Sequence, residues 1–326
     1  MLTGRRSAGR LLGRWHGVST VVALLGCRPS HAVRTNPTAQ ATSARACPAS
    51  LLPLAPPGAA RWLWVRPRAL FDDPQAGPLL AGLLRDTGER ALLDDTERNG
   101  VDLRTVERAL FVDPGDGALL LAAGAFDAQR IIGLQWDRML PPRRRSDAGH
   151  GAWRIEGMLG GRRVSVAADG ACGLYARAEG NTRAADRVLA DGRTRPRGDD
   201  PMEPLRWHVN GAPASVTDAD GAAITASLRW FELRATPTPE GLRTDVVLDG
   251  PLPADTPARV ARFLETVVAS PLGASVGADE WLAPGSVTWE RRDGQWWGRA
   301  TLPWRGLRAL ADLGRGRIDV RDRPSF

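Results

Sequence analysis

The chain contains no lysine: the 44 cationic side chains among its 326 residues are all arginine. That absence excludes phosphate loops ending in Gly-Lys-Ser/Thr, pyridoxal-phosphate Schiff bases and Ser-Lys hydrolases, because each needs a lysine amine. Histidine is scarce as well, and His16, His31, His150 and His208 include no pair at the i, i+4 spacing of a zinc helix. No metal and no cofactor are expected. The net charge is +7, and four of the arginines (Arg5, Arg6, Arg10, Arg14) fall in the first 26 residues, where there is no acid. Seven minus four leaves about +3 for the remainder, too little clustered charge to support a nucleic-acid partner. The apolar stretch from Val18 to Leu25 is too short to span a bilayer, which takes about 20 residues.

What the amino-terminal region does have is the three-part pattern of an export signal: an arginine-rich start, that apolar stretch, and the small residue Gly26 directly before Cys27. Leu24-Leu25-Gly26-Cys27 resembles the lipobox of bacterial lipoproteins. The resemblance implies removal of residues 1–26, a diacylglycerol on the Cys27 thiol and an acylated new amine, so that the membrane is a partner through lipid on Cys27. More than one chain on a single residue gives the stable attachment that one chain lacks. Arg28 stands where an aspartate would retain such a protein at the inner membrane, which points to the outer membrane, facing the periplasm. The plain alternative is that Cys27 is an ordinary residue after a secretory signal.

Residues 27–60 are rich in Pro, Ala, Thr, Ser and Arg and read as a tether. Beyond them, pairs of extended segments alternate with helices. A strand over Trp62–Leu70 and a helix over Pro78–Arg85 come first. A hairpin follows, Val106–Val112 and Ala118–Ala123, then a helix capped by Asp127, with the stripe Ile132, Trp136 and Met139, stopped by Pro141. Next come Trp153–Met158 and Val164–Ala168, a turn at Asp169-Gly170, and a helix near Asn181. The segments Ile224–Ala235 and Leu242–Leu248 precede the clearest helix, with Thr256 as N-cap, Pro257 in the first turn and Val260, Phe263, Leu264, Val267 and Val268 on one face. Residues 287–302 form a last hairpin about Asp293-Gly294, leading to a short helix near Leu307–Leu313. The fold class read from this is α+β, with antiparallel hairpins and helices on one sheet face. It divides into two possible related halves, 61–192 and 205–326, around the Pro-rich segment 193–204, the first in ferredoxin-like order. One continuous sheet is the alternative.

Chemistry is sparse. Gly273-Ala274-Ser275-Val276-Gly277 has the spacing of a hydrolase nucleophile elbow, but a helix precedes it where a strand is required, and no histidine follows Ser275 in the chain. His150, in a predicted loop over Arg143–Gly151, and His208 are the remaining candidate bases, and both read as surface residues. Asp218-Ala219-Asp220-Gly221 begins like a calcium loop yet has Arg229 at the twelfth position, so a tight turn is expected. Cys47 and Cys172 read as independent thiols, with pairing in an oxidising envelope as the alternative. Arg143, Arg144 and Arg145, like Arg193, Arg195 and Arg197, fit solvated loops or anionic lipid phosphate.

In the last hairpin a two-residue turn sets Trp289 opposite Gly298, Glu290 opposite Trp297 and Thr288 opposite Arg299. Trp297 is then the apolar residue on a polar face. It either stacks on a sugar or partner or lies under Arg299, the second being the simpler reading, and Trp297 and Arg299 are the candidate surface contacts. The sequence as a whole reads as a membrane-tethered, non-catalytic envelope lipoprotein whose body binds or scaffolds an unidentified envelope protein or ligand. A lipid or lipoprotein carrier would need an apolar cavity between sheet and helices, and a serine hydrolase would need Ser275 to meet a histidine.

Overall fold

Alternation of apolar and polar residues at period two is what builds this molecule. The computed structural model describes residues 50–56, 59–86, 100–113, 117–149, 151–180, 200–211, 219–282 and 285–314. Its strands are β1 (Arg61–Val65), β2 (Val106–Asp113), β3 (Ala118–Gly124), β4 (Leu140–Gly149), β5 (Ala152–Leu159) and β6 (Arg162–Asp169), then β7 (Leu174–Glu179), β8 (Leu205–Asn210), β9 (Trp230–Pro237), β10 (Gly241–Asp249), β11 (Thr288–Arg292) and β12 (Gln295–Pro303). They form one 12-stranded sheet in the order β11-β12-β10-β9-β8-β1-β2-β3-β7-β6-β5-β4. Every pairing is antiparallel. The helices are α1 (Pro67–Asp72), α2 (Ala76–Asp86), α3 (Ala128–Arg138), α4 (Ala219–Ser227), α5 (Thr256–Ala269), α6 (Pro271–Ser275) and α7 (Trp304–Gly314).

The α+β class and the antiparallel hairpins stand, but the two halves share one sheet. β1 pairs with β8 across the expected boundary. A ferredoxin-like order fails for a related reason: β1 and β2, which flank α1 and α2, are antiparallel neighbours, whereas a βαβ crossover leaves its strands parallel.

Cross-strand register defines the faces. Val246, Leu233, Trp207, Leu63, Phe111 and Leu120 make one row, and α3, α4 and α5 all pack on that side. α3 is capped by Asp127, whose carboxylate accepts from Arg130 N at 3.0 Å, and buries Ile131 and Ile132 against Ile155, Val164 and Val166. On the opposite face Leu51 packs with Leu110, Val112, Leu119 and Leu121. Asp200 secures that segment, accepting from Ser50 Oγ at 2.6 Å, Leu51 N at 2.8 Å and Arg108 Nη1 at 2.9 Å. Residues 50–55, at the end of the expected tether, therefore belong to the body.

Several sequence expectations are corrected. The first strand stops at Val65, because Pro67 starts α1 where its missing amide hydrogen is harmless. Residues 219–227, expected as a turn and a strand start, are helix α4, in keeping with their alanine content. Arg143–Gly149, expected as a loop, is most of edge strand β4, exposed over residues 140–147. β7 escaped notice because all six of its residues are buried, so no alternation marks it. The N-cap of α5 is Asp255, one place before Thr256. Cys172 is disulfide-bonded, to a residue outside the described ones, and so is not an independent thiol. The helix near Asn181 also lies outside the described residues.

Candidate binding cavity

α4 and α5 do not close fully onto the sheet. Between them and β9, β10, β11 and β12 lies a cavity of about 380 Å³. α4 contributes Ile224 and Leu228, α5 contributes Val260, Phe263 and Leu264, and the sheet contributes Phe231, Val246, Leu248, Trp289, Ala300 and Leu302. Val260, Phe263 and Leu264 of the α5 stripe do face the sheet, as their spacing predicted, yet they are only half-buried because they border this space. Two threonines are the polar side chains of the wall, and both hydroxyls are spent on backbone carbonyls. Thr225 Oγ1 donates to Ala222 O at 3.0 Å and Thr244 Oγ1 to Leu242 O at 3.3 Å. The wall therefore asks for hydrocarbon.

Trp289 forms the edge-strand side of the cavity, and Gly298 is why its ring lies flat on β12. A Cβ at Gly298 would sit 2.7 Å from the Trp289 ring. Asp220, at the start of α4, fastens the two cavity helices together. Its carboxylate accepts from Arg262 Nε at 2.7 Å, Arg262 Nη2 at 2.8 Å and Arg259 Nη1 at 3.2 Å. The Arg262 hydrogen bond, with the charges of both arginines, holds the Asp220 pKa below the usual carboxylate range.

The final hairpin has the register that its sequence predicted, Trp289 against Gly298, Glu290 against Trp297 and Thr288 against Arg299. Its turn needs positive φ at both central positions, which Asp293 (49°) and Gly294 (82°) supply. Trp297 and Arg299 border a groove of about 280 Å³ on the face opposite the cavity, with Asp245, Thr288 and Glu290. The cations over Trp297 are Arg234 at 5.0 Å and Arg292 at 5.5 Å, rather than Arg299. Arg299 instead donates from Nε to Asp245 Oδ1 at 2.6 Å, which raises its pKa.

On the same face Glu232 is buried between Arg206 (2.9 Å) and Arg234 (2.7 Å), with His208 Nδ1 at 3.5 Å, long for a hydrogen bond. Burial pushes the Glu232 pKa up, but the interactions with His208, Arg206 and Arg234 outweigh it and bring it down to about 2. His208 is further sandwiched between Trp62 and Trp230, each with ring centroids 5.2 Å away. It stands on the face opposite α5 and α6, so it does not meet Ser275. That serine ends α6, half-buried, its Oγ donating to Leu272 O at 2.7 Å. Among the described residues no group of three His, Cys, Asp or Glu side chains gathers as a metal site. Cys27, His31, Cys47, His150, Asp218, Arg193, Arg195 and Arg197 lie outside the described residues.

Neither a protein-family model nor a curated protein matches the sequence. Among solved structures, crystal forms III, I and IV of TP0453 align with it at 11%, 10% and 11% identity and TM-scores of 0.46, 0.46 and 0.49. The alignments cover 81%, 82% and 81% of this chain and 97%, 98% and 96% of the other.

Proposed function

We propose that this protein is a non-catalytic envelope lipoprotein, tethered to a membrane through lipid on Cys27, whose body holds a hydrocarbon chain such as the acyl tail of a lipid. The observation that carries the reading is the cavity of about 380 Å³ under α4 and α5, lined by aliphatic and aromatic side chains. Its size falls within the roughly 300–1,000 Å³ of small-molecule pockets. Its wall favours an unsubstituted chain, because a buried carbonyl of the ligand would find no donor in the two threonines, whose hydroxyl protons are already given to backbone carbonyls, and would be penalised for it. This favours a carrier over a pure scaffold, whose binding surface would have no need of a cavity.

The test is binding of a fluorescent fatty acid to the full chain and to Ala300→Trp. Ala300 lines the cavity from β12. An indole there occupies the space a ligand would take, so saturable binding by the parent chain should weaken roughly tenfold or more. Undiminished affinity in a variant with unchanged circular dichroism refutes the cavity as the site.

A further inference from the structure

At the end of the sheet farthest from the cavity, β4 has one edge unpaired among the described residues, and basic side chains gather there beside apolar ones. α3, β4, β5 and β6 together carry eight arginines against four carboxylates. Three of the arginines are consecutive on β4 and exposed. Arg145 pairs in register with Ile155, on the helix-covered side, and Arg144 with Glu156, on the other, so the charges surround the edge. Among the described residues neither Arg143 nor Arg145 rests on a carboxylate, and Arg143 Nη1 donates to Trp136 O at 3.0 Å. Their guanidinium groups lie over Trp136 and Trp153, 4.5 and 4.3 Å from the ring centres. Beside them Leu140 is 61% exposed.

We propose that the β4 edge docks onto an anionic lipid bilayer, as a second membrane contact independent of any lipid anchor. Guanidinium groups meet phosphate with paired hydrogen bonds, and half-buried tryptophans with an exposed leucine suit the zone where headgroups give way to acyl chains. A nucleic acid would use the same charges but has no need of the apolar neighbours. The inference does not rest on the cavity, and neither fails with the other.

The experiment compares full-length Cys27→Ser chains, which lack the lipidated thiol, for co-sedimentation with vesicles. One carries the native edge, a second Arg143→Ser, Arg144→Ser and Arg145→Ser, and a third the corresponding Arg→Lys changes. All three share the same amino-terminal arginines, so that background cancels. The native edge should bind phosphatidylglycerol-containing vesicles more tightly than pure phosphatidylcholine, with affinity falling as salt rises. Each arginine near an anionic surface is worth about a fivefold factor, so the serine form should bind roughly 100-fold more weakly. The lysine form should stay close to the native one, which separates lost charge from lost folding. Equal binding by the serine and native forms overturns the proposal. So does displacement by millimolar inorganic phosphate, which would indicate a discrete anion site, or tighter binding to a DNA duplex than to vesicles.

Discussion

Replacing Glu232 with glutamine should remove the share of acid sensitivity that this one carboxyl gives the protein. Glu232 is nearly buried, its side chain 4% exposed, and its pKa falls from an ordinary 4.5 to about 2. A folded-state pKa below the unfolded one means that ionisation stabilises the fold above about pH 4.5, and that this contribution is lost as pH falls towards 2. The shift of roughly two and a half units corresponds to about 3 kcal/mol when complete. At pH 3 only about 1 kcal/mol of it should remain, because most of the unfolded-state carboxyl is already protonated. Glu232→Gln has no proton to exchange. Its deficit against the parent chain should therefore shrink by about 2 kcal/mol between pH 7 and pH 3. Urea denaturation followed by tryptophan fluorescence measures this directly. A deficit equal at both pH values would show that Arg206, Arg234 and His208 do not depress the carboxyl as argued. A deficit that grows at low pH would reverse the sign.

Phe263→Ala should cost about 1–2 kcal/mol, below the 3–5 typical of a fully buried phenylalanine, because the ring borders the cavity; a loss above about 4 in denaturant melts would mean the space is filled in solution. Gly298→Ala should cost about 1–3 kcal/mol by driving a Cβ into the Trp289 ring, and much less in a Trp289→Leu background; a cost unchanged there would locate the clash elsewhere. Cys27→Ser should move the protein from the membrane to the soluble fraction of gently lysed, high-salt-washed cells, and no change, with no lipid label on the parent, would remove the lipobox reading. Ser275 should not react with a fluorophosphonate, since its hydroxyl donates to Leu272 O and His208 is on the other face; labelling that vanishes in Ser275→Ala would promote the hydrolase.

How far the sequence could be read depended on whether a residue's own neighbours determine its place. The last hairpin was legible to the residue pair, because Asp293-Gly294 fixes the turn and the turn fixes the register. The α5 stripe was legible for the same local reason. What failed was non-local. Leu174–Glu179 is buried on both sides, so burial erases the alternation that would identify β7, and even Arg177 and Glu179 are inside as an ion pair at 2.7 Å. The cation over Trp297 was misassigned because Arg234 is two strands away in the sheet and far along the chain, whereas Arg299 is two residues off and on the same face.

The cavity shows the same limit in its most consequential form. Val260, Phe263 and Leu264 have the spacing of a core face, and a core face and a ligand-lined face have identical sequence signatures, since both need apolar side chains at helical period. The difference lies in how near α4 and α5 approach the sheet. That distance is set partly by Asp220, which ties the start of α4 to Arg259 and Arg262 on α5, and partly by Trp289, which lies across Gly298 at the edge-strand side of the floor. The sequence offered Asp220 only as part of a turn and Trp289 only as the cross-strand partner of Gly298, because the arginines that Asp220 ties lie 39 and 42 residues away and the seat of Trp289 depends on the absence of a side chain. A binding space assembled this way is a property of the pairings between elements, and it becomes visible only when β9, β10, β11 and β12 are side by side.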